Sequence, residues 1–203
     1  KVDLNLRNNG GDTPLHWACG GNRRSEIVCH HDDEDEDDHV GVFGSYDIAK
    51  FLISQDGIEI NAQNEDGWTP LHFACRRNHC DIASELIIQN GIDLNLRNNI
   101  GNTPLHLATI NGEYAETIVE LLTAQEGIEI NAQNELGMSP LHIACEKGYY
   151  YDVYNIRLLS AHEKIDLNIR NKTGDTPLHL LCGHTECAEM VELLTTQEGI
   201  EIN

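Results

Sequence analysis

A four-residue motif that recurs along the chain constrains its fold more than any other feature. The motif reads TPLH at Thr13, Thr69, Thr103 and Thr176, and SPLH at Ser139. Between these copies lies a second motif that alternates between versions close to IDLNLRN and to IEINAQN. Successive copies of the first motif are 56, 34, 36 and 37 residues apart. Such periodicity predicts stacked structural repeats, because a single unit buries too little apolar surface to fold alone.

Each repeat is predicted to contain two short helices followed by an extended segment. Thr or Ser before Pro predicts a helix start, because the hydroxyl caps free backbone N–H groups and Pro fits the first turn. Leu followed three residues later by Ala, as in Leu71 and Ala74, gives this helix a small apolar stripe. Segments such as DIASELI and ETIVELL predict the second helix, and a Gly-containing turn leads into the alternating IDLN or IEIN segment.

These repeats resemble those of the ankyrin repeat family. The matching segments are DGWTPLHFA, NTPLHLATING, IVELL and GIDLN, and about five copies cover nearly the whole chain. The resemblance implies a mainly α fold, an ankyrin-repeat solenoid of stacked helix–turn–helix units with projecting β-hairpin fingers. We expect a single ankyrin-repeat domain over 1–203. Its approximate repeats are 1–64, 65–98, 99–134, 135–171 and 172–203.

The first repeat carries an acidic insertion. Alignment of DIAKFLISQDGIEIN, from Asp47, with DIASELIIQNGIDLN, from Asp81, places 22 extra residues between the two helices of this repeat. The insertion lies within 23–45, and its centre is the uninterrupted acidic run 32–38. A run of like charges predicts a solvated loop. The sharper hypothesis is electrostatic steering of a basic partner.

A metal-responsive module is the alternative interpretation of this insertion. A calcium loop of the EF-hand type that starts at Asp33 would need Gly at its sixth position and Glu at its twelfth. The chain has Asp38 and Gly44 there. Zinc would use Cys29, His30, His31 and His39, but the adjacent histidines lack the usual ligand spacing. The sequence therefore predicts no specific metal site, and it indicates no cofactor.

The charge balance restricts the class of partner. The chain has 34 Asp and Glu against 13 Lys and Arg, and its formal net charge is −21. This excludes nucleic acid as the main partner, because a duplex must be neutralised by Lys and Arg. It argues equally against an anionic membrane surface. A protein partner, of basic character, is favoured instead.

Further expectations concern membrane spans, the cellular compartment and the ends of the chain. No apolar run approaches the roughly 18 residues that span a bilayer. Seven cysteines, an odd number, favour a reducing compartment, so we expect a cytoplasmic monomer. Both ends of the chain fall within a hairpin, so we expect further repeats or another domain beside this segment. A regulatory ankyrin segment of a larger enzyme or channel is therefore the rival function.

The repeated histidines and cysteines are predicted to be structural. One histidine per repeat does not build one active site, and the resemblance implies that these side chains hydrogen-bond to neighbouring loops. They are His16, His72, His106, His142 and His179. Four cysteines share one position after the motif and suit a buried apolar role; they are Cys19, Cys75, Cys145 and Cys182. No nucleophile elbow or phosphate loop occurs, so we expect no enzyme.

The resemblance also implies where a partner binds. Ankyrin arrays use the finger tips and the inner face of the first helices, at positions between the structural motif residues. The predicted partner-binding residues are Asp66, Trp68, Arg76, Arg77, Ile100, Asn102, Ile110, Leu136, Met138 and Asp175. Apolar side chains with charges beside them are typical of interfaces, and Trp68 is predicted as the principal anchor. The alternative is that some side chains, Ile100 and Leu136 above all, fold down between neighbouring fingers.

Overall fold

The structure is a computed structural model, and it describes residues 2–21, 43–110, 116–147, 153–184 and 187–201. The chain divides into two compact units, Lys1–Ile92 and Asp93–Asn203. The insertion at 23–45 lies almost entirely outside the described residues, and so do its predicted acidic loop and the alternative metal site.

Unit 1 contains two repeats. Its first repeat has the short helix α1 (Pro14–His16), a π-helical turn (Trp17–Gly21) and the outer helix α2 (Phe43–Ile53). The second repeat has the inner helix α3 (Pro70–Arg76) and the outer helix α4 (Cys80–Ile87). The π-helical turn packs against α3, and α2 packs against α4, so inner elements stack on inner elements and outer helices on outer helices.

Unit 2 contains three repeats built in the same way. The inner helices are α5 (Pro104–Ala108), α7 (Pro140–Lys147) and α9 (Pro177–Cys182). The outer helices are α6 (Glu116–Thr123), α8 (Val153–Ser160) and α10 (Ala188–Thr195). Within this unit α7 packs between α5 and α9, and α8 packs between α6 and α10. The predicted mainly α fold of stacked helix–turn–helix repeats is thus confirmed within each unit.

The predicted helix starts are confirmed, and the motif histidine completes them. At α3 the backbone N–H of His72 donates to Thr69 Oγ1 at 3.3 Å, while the backbone N–H of Thr69 donates to His72 Nδ1 at 3.1 Å. This is the reciprocal arrangement of a capping box, with His in the place that Glu or Gln commonly takes. The same box begins α1, α5 and α9, and Ser139 forms it with His142 at α7.

The largest side chains of the core are mainly leucines from both helices of each repeat. Leu71 of the inner helix and Leu86 of the outer helix in unit 1 are fully buried, as are Leu141 and Leu159 in unit 2. Each buried leucine contributes roughly 1.5–3 kcal/mol of transfer free energy. The leucines between Pro and His in the motif therefore hold adjacent inner helices together, which explains why that position varies so little along the chain.

Tight hairpin turns connect the repeats. No residue of the described segments is part of a regular β-strand. Instead, two backbone bonds close each hairpin. In one hairpin of unit 1 the N–H of Asn64 donates to the carbonyl of Trp68 at 2.9 Å, and the N–H of Gly67 donates to the carbonyl of Asn64 at 3.0 Å. The fingers are thus turns flanked by extended chain, and they place their tips beside the first turns of the inner helices.

Candidate interaction surface

The asparagine that opens each hairpin determines the shape of its tip. In unit 1 the Oδ1 of Asn64 accepts the backbone N–H groups of Asp66 and Trp68 at 3.0 and 2.8 Å. In unit 2 the Oδ1 of Asn134 accepts those of Leu136 and Met138 at 2.9 and 3.0 Å. A side chain that satisfies two backbone donors of its own turn fixes the conformation of that turn.

Neighbouring tips are also joined to one another. In unit 1 the N–H of Glu65 donates to the carbonyl of Gly10 at 3.0 Å. In unit 2 the N–H of Glu135 donates to the carbonyl of Ile100, and that of Lys172 to the carbonyl of Leu136, both at 3.0 Å. The tips within a unit therefore form a pre-organised row, which lowers the conformational entropy lost when a partner binds.

Three motif histidines, His16, His106 and His142, have the structural role that the resemblance implied, whereas His179 is exposed and contacts the capping Thr176. Since Nδ1 of His16 accepts the Thr13 N–H at 3.0 Å, its Nε2 carries the proton and donates to the Trp68 carbonyl at 2.9 Å. In unit 2 the Nε2 of His106 likewise donates to the Met138 carbonyl at 3.0 Å, and that of His142 to the Asp175 carbonyl at 3.1 Å. Each of these rings joins the start of one inner helix to the next hairpin.

These histidine contacts require a neutral ring. Burial lowers the pKa of His16 and that of His142 below the usual value of 6.5, although their backbone hydrogen bonds oppose the shift. A protonated ring would also lose the acceptor that holds the N–H of the capping residue. The folded chain therefore binds fewer protons than the unfolded chain in the pH range just below 6.5.

We expect the free energy of unfolding to fall as the pH decreases from 6.5 towards 5.5. Well above pH 6.5 the histidines are neutral in both states and contribute no slope. Below pH 6.5 each unfolded histidine takes up a proton that its folded counterpart excludes. This lowers the free energy of unfolding by up to about 1.4 kcal/mol for each histidine and each pH unit. Urea unfolding at several pH values measures this slope. His142→Gln should flatten it, whereas an unchanged slope in that variant would contradict the assignment.

Unit 2 exposes two of its predicted contact residues and buries two others. Ile100 and Leu136 occupy equivalent tip positions and are 56% and 69% exposed, so the alternative that they fold down between fingers is wrong. Asn102 and Met138 are only 6% and 5% exposed. Their side chains face neighbouring tips, where Asn102 Oδ1 accepts Asn134 Nδ2 at 2.8 Å. We therefore remove Asn102 and Met138 from the solvent-facing surface.

The remaining predicted residues of unit 2 lie at the edge of this surface. Ile110 and Asp175 are half-buried. The backbone carbonyl of Ile110 accepts a hydrogen bond from Lys147 Nζ. The carboxylate of Asp175 accepts the hydroxyl of Thr173 at 2.5 Å. Both residues contribute to the arrangement of the surface as well as to its area.

Unit 1 exposes three of its four predicted residues and half-buries the fourth. Asp66 is exposed at the hairpin tip, and Arg76 and Arg77 are exposed at the end of α3. Trp68, which lies between the hairpin tip and α3 in the sequence, is half-buried. Its ring packs against that of Phe73 with centroids 4.9 Å apart. Trp68 thus stabilises unit 1 in addition to offering part of its ring to solvent.

Two aromatic residues of this face were not predicted. Trp17 is 46% exposed, and Phe73 is half-buried. They occupy the same repeat position, four residues after the capping threonine, where unit 2 has the buried Leu107 and Ile143. The larger aromatic rings at this position are the sequence signal that could have identified them.

The cysteine prediction holds in part. Cys19, Cys75 and Cys145 are fully buried, and burial raises the pKa of the Cys19 and Cys75 thiols. Cys182 is exposed, so the prediction of a buried role is wrong there. Cys182 is the last residue of α9, and the residues that follow it, Gly183 and His184, are exposed as well. The described segments contain no group of three or more potential ligands arranged to hold a metal ion.

Three comparisons place these features among known proteins. A family model described as ankyrin repeats (3 copies) matches residues 39–134 and 113–203. The crystal structure of EF0377, an ankyrin repeat protein, is similar with a TM-score of 0.78 and 22% identity, over 97% of this chain and 86% of that one. At this identity the likeness shows the fold alone. Within the described residues, no helix combines the length and apolar character needed to cross a membrane.

Curated relatives match only over short segments of much longer proteins. The serine/threonine-protein kinase TNNI3K of Mus musculus is 30% identical over 39% of this chain and 11% of its own length. The SMC5-SMC6 complex localization factor protein 1 of Bos taurus is 31% identical over 37% of this chain and 5% of its own. Alpha-latrocrustotoxin-Lt1a of Latrodectus tredecimguttatus is 40% identical over 21% of this chain and 3% of its own length. Since the family model matches most of the chain and the solved neighbour shares its fold, this chain belongs to the ankyrin repeat family.

Proposed function

We propose that this chain is a non-enzymatic scaffold that binds a partner protein through its hairpin tips and inner helices. The observation that carries the proposal is the exposure of Ile100 and Leu136 at equivalent tips of adjacent hairpins. Large aliphatic side chains in solvent contribute nothing to the fold of a turn, and apolar side chains clustered on a surface mark interfaces. The backbone bond between the carbonyl of Ile100 and the next tip keeps the two side chains on adjacent turns.

The charge of the chain supports a basic partner for this surface. The exposed carboxylate of Glu135 lies beside Leu136 at its tip, and the exposed Glu126 and Glu129 lie in the segment that leads into this hairpin, where Glu129 pairs with Arg97 at 3.2 Å. Carboxylates at the edge of an interface steer a basic protein towards it and accelerate association. The apolar centre then supplies most of the affinity. The acidic insertion at 23–45 would add to this steering.

We expect Ile100→Ala and Leu136→Ala each to weaken partner binding roughly tenfold, a loss of about 1.4 kcal/mol that lies within the usual range for interface residues. A partner is first captured with the intact chain, and calorimetric titration of the purified pair then measures the dissociation constant. The matched control is Ile88→Ala, because Ile88 is 73% exposed but lies at the end of an outer helix. Unchanged affinity in both tip variants, or equal losses in all three, would overturn the proposed surface.

Trp68 remains the proposed anchor of unit 1, but Trp68→Ala is a poor first test. The ring packs on Phe73, and the backbone carbonyl accepts the bond from His16. Loss of the ring would therefore lower the stability of unit 1 along with any binding. The exposed aliphatic tips of unit 2 separate binding from folding more cleanly.

A regulatory segment of a larger enzyme or channel is the second candidate function. The matched segments make up 11% or less of each of the three relatives above, and one of those relatives is a protein kinase. The full-length reading frame decides between the two candidates, because a catalytic or channel domain in the same chain would favour the regulatory role. The surface described above would then bind in cis or to a partner of the larger protein.

We also propose a cytoplasmic, monomeric state without nucleic-acid or membrane partners. The net charge of −21 supports the exclusion of both polyanions. Cys19 and Cys182 are present as thiols, as expected in a reducing compartment. Light scattering of the purified chain tests the monomeric state, and fractionation of cells that express it tests the cytoplasmic location.

A further inference from the structure

A patch on the inner face of unit 1 has a chemistry unlike that of the rest of the chain. It consists of Trp17, Trp68, Phe73, Arg76 and Arg77, which we name the aromatic–arginine patch. Phe73 and the two arginines are three and four residues apart, so they share one face of α3. Trp17 is the counterpart of Phe73 in the first repeat, and it begins the π-helical turn that packs against α3.

Contacts with this turn hold Arg77 in position. Its Nε donates to the carbonyl of Gly20 at 3.3 Å. Its side chain lies so close to the π-helical turn that a Cβ on Gly20 would be 2.8 Å from Arg77 Cγ. The guanidinium group is therefore held against the π-helical turn that Trp17 begins, and it stays accessible from solvent. Positioned guanidinium groups bind carboxylates in a bidentate geometry that a mobile lysine does not match.

The fold of the repeat does not require an arginine at the position of Arg76. A cation near a helix C-terminus has a favourable interaction with the helix dipole. However, the other repeats have Gly20, Ile110, Glu146 and Gly183 at the position of Arg76, so the inner helices form without a cation there. Arg77 has structural counterparts, because Lys147 and His184 at its position also donate to a carbonyl of the preceding repeat. An exposed arginine at position 76 of a chain with few cations thus indicates a role in recognition.

The charges of unit 1 are separated along α3, with carboxylates near its start and arginines at its end. Exposed carboxylates of Glu65 and Asp66 lie at the hairpin tip, and the half-buried carboxylate of Asp12 accepts Asn64 Nδ2 at 2.7 Å. The arginines lie at the opposite end of α3. Aromatic faces attract cations, but a cation placed between Trp17 and Phe73 would meet the repulsion of both guanidinium groups. Charge complementarity at this end therefore selects an anion.

We propose that the aromatic–arginine patch binds an acidic segment of the partner, with an aromatic or aliphatic side chain against Trp17 and Phe73. At least one carboxylate of that segment pairs with Arg76 or Arg77. The inference rests on the proposed function and deepens it, because it assigns opposite charge preferences to two surfaces. The apolar tips of unit 2 take a basic region, whereas the inner face of unit 1 takes an acidic one.

Selection from a displayed library of random peptides tests the proposal without a known partner. The intact chain is the target, and the strongest selected peptides are synthesised and titrated by fluorescence anisotropy. We expect peptides in which Asp or Glu lies next to Trp, Phe or Leu. Their dissociation constants should rise at least tenfold in the double variant Arg76→Glu and Arg77→Glu, and should rise with added salt. The control Arg157→Glu, on the outer helix α8, should leave them unchanged.

The outcomes separate this inference from the proposed function. Selected peptides rich in Lys or Arg, or no enrichment of acidic residues, would overturn the acidic partner. Peptides whose affinity falls in Leu136→Ala but not in the arginine variant would leave the scaffold function intact and reject the patch. Trp17→Ser provides a second variant, because this residue is 46% exposed and its loss should weaken acidic peptides while a cooperative thermal transition is retained. Full affinity in Trp17→Ser would also count against the patch.

Discussion

Gly137→Ala is expected to lower the free energy of unfolding by about 3 kcal/mol. Gly137 closes the tip of a unit 2 hairpin with φ at +74°, in the left-handed region. A Cβ there would lie 2.7 Å from the backbone N of Lys172 in the next hairpin. The left-handed conformation costs a residue with a Cβ roughly 1–2 kcal/mol, and overpacking against neighbouring atoms adds about 1–3 kcal/mol.

The steric conflict at Gly137 falls on a bond that joins two repeats. The N–H of Lys172 is the donor to the carbonyl of Leu136 at 3.0 Å. A methyl group beside that nitrogen would force the hairpins apart, and backbone is unable to move aside as the end of a flexible side chain does. The cost of the substitution is therefore a cost to the stacking of neighbouring repeats, on which the stability of repeat proteins depends.

The matched control for this variant is Gly174→Ala. Gly174 occupies the same turn position in the next hairpin with φ at +87°, but no atom lies within 4 Å of its Cβ position. The control keeps the backbone strain and lacks the clash, so we expect a loss of about 1 kcal/mol. Urea unfolding at a common m-value compares the two variants. Equal losses would show that the turn alone, and not the contact between hairpins, requires glycine.

The fold could be predicted because its determinants are local and are repeated. Thr69, Pro70 and His72 are close in sequence, and the capping box that they predict involves only their own helix turn. The burial of Leu71 follows from the same motif, since its leucine and the alanine three residues later form the apolar stripe of the inner helix. Signals of this kind reinforce one another over several copies, and each copy repeats the same local chemistry.

The exposure of the hairpin side chains could not be predicted in the same way. A tight turn projects the residue before its glycine into solvent and returns the residue after it towards the neighbouring tip. Ile100 and Leu136 precede the glycine and are exposed, whereas Asn102 and Met138 follow it and are buried. Hydrophobicity alone does not report this difference, because an isoleucine is exposed and an asparagine is buried. The turn geometry decides, and it becomes visible only in three dimensions.

Asn155→Ile is expected to raise the free energy of unfolding by about 2 kcal/mol. Asn155 in α8 is fully buried, and within the described part of the chain neither of its amide atoms has a hydrogen-bond partner. The equivalent residues are Ile48, Ile82, Ile118 and Met190, and the last three of these are buried. An aliphatic side chain therefore fits this position of the repeat.

The expected gain has two physical sources. A buried polar group without a partner costs about 1–3 kcal/mol of desolvation, and this cost disappears with the amide. Isoleucine also adds apolar surface to the core between α8 and its inner helix, where each buried methylene contributes about 0.8 kcal/mol. Some of this gain is offset by the larger volume of isoleucine, since overpacking strains a close-packed core.

The reciprocal variant Ile118→Asn is the control for this prediction. It introduces the unpaired amide at the equivalent position of α6, which is fully buried, so we expect a loss of at least 2 kcal/mol. Urea unfolding measures the global effect. Hydrogen exchange of the α8 amides measures the local one, because repeat arrays open in local segments. Faster exchange in α8 than in α6 of the unaltered chain, and its slowing in Asn155→Ile, is the expected pattern.

Two other outcomes for Asn155→Ile would each identify a different role of the amide. Unchanged stability and unchanged exchange in Asn155→Ile would show that the amide has a hydrogen-bond partner in solution. A stabilised variant that binds its partner more weakly would instead show that the polar residue is retained for function, at the expense of stability. Titration of the Asn155→Ile variant with the partner captured by the intact chain distinguishes these outcomes, because the first leaves both stability and affinity unchanged.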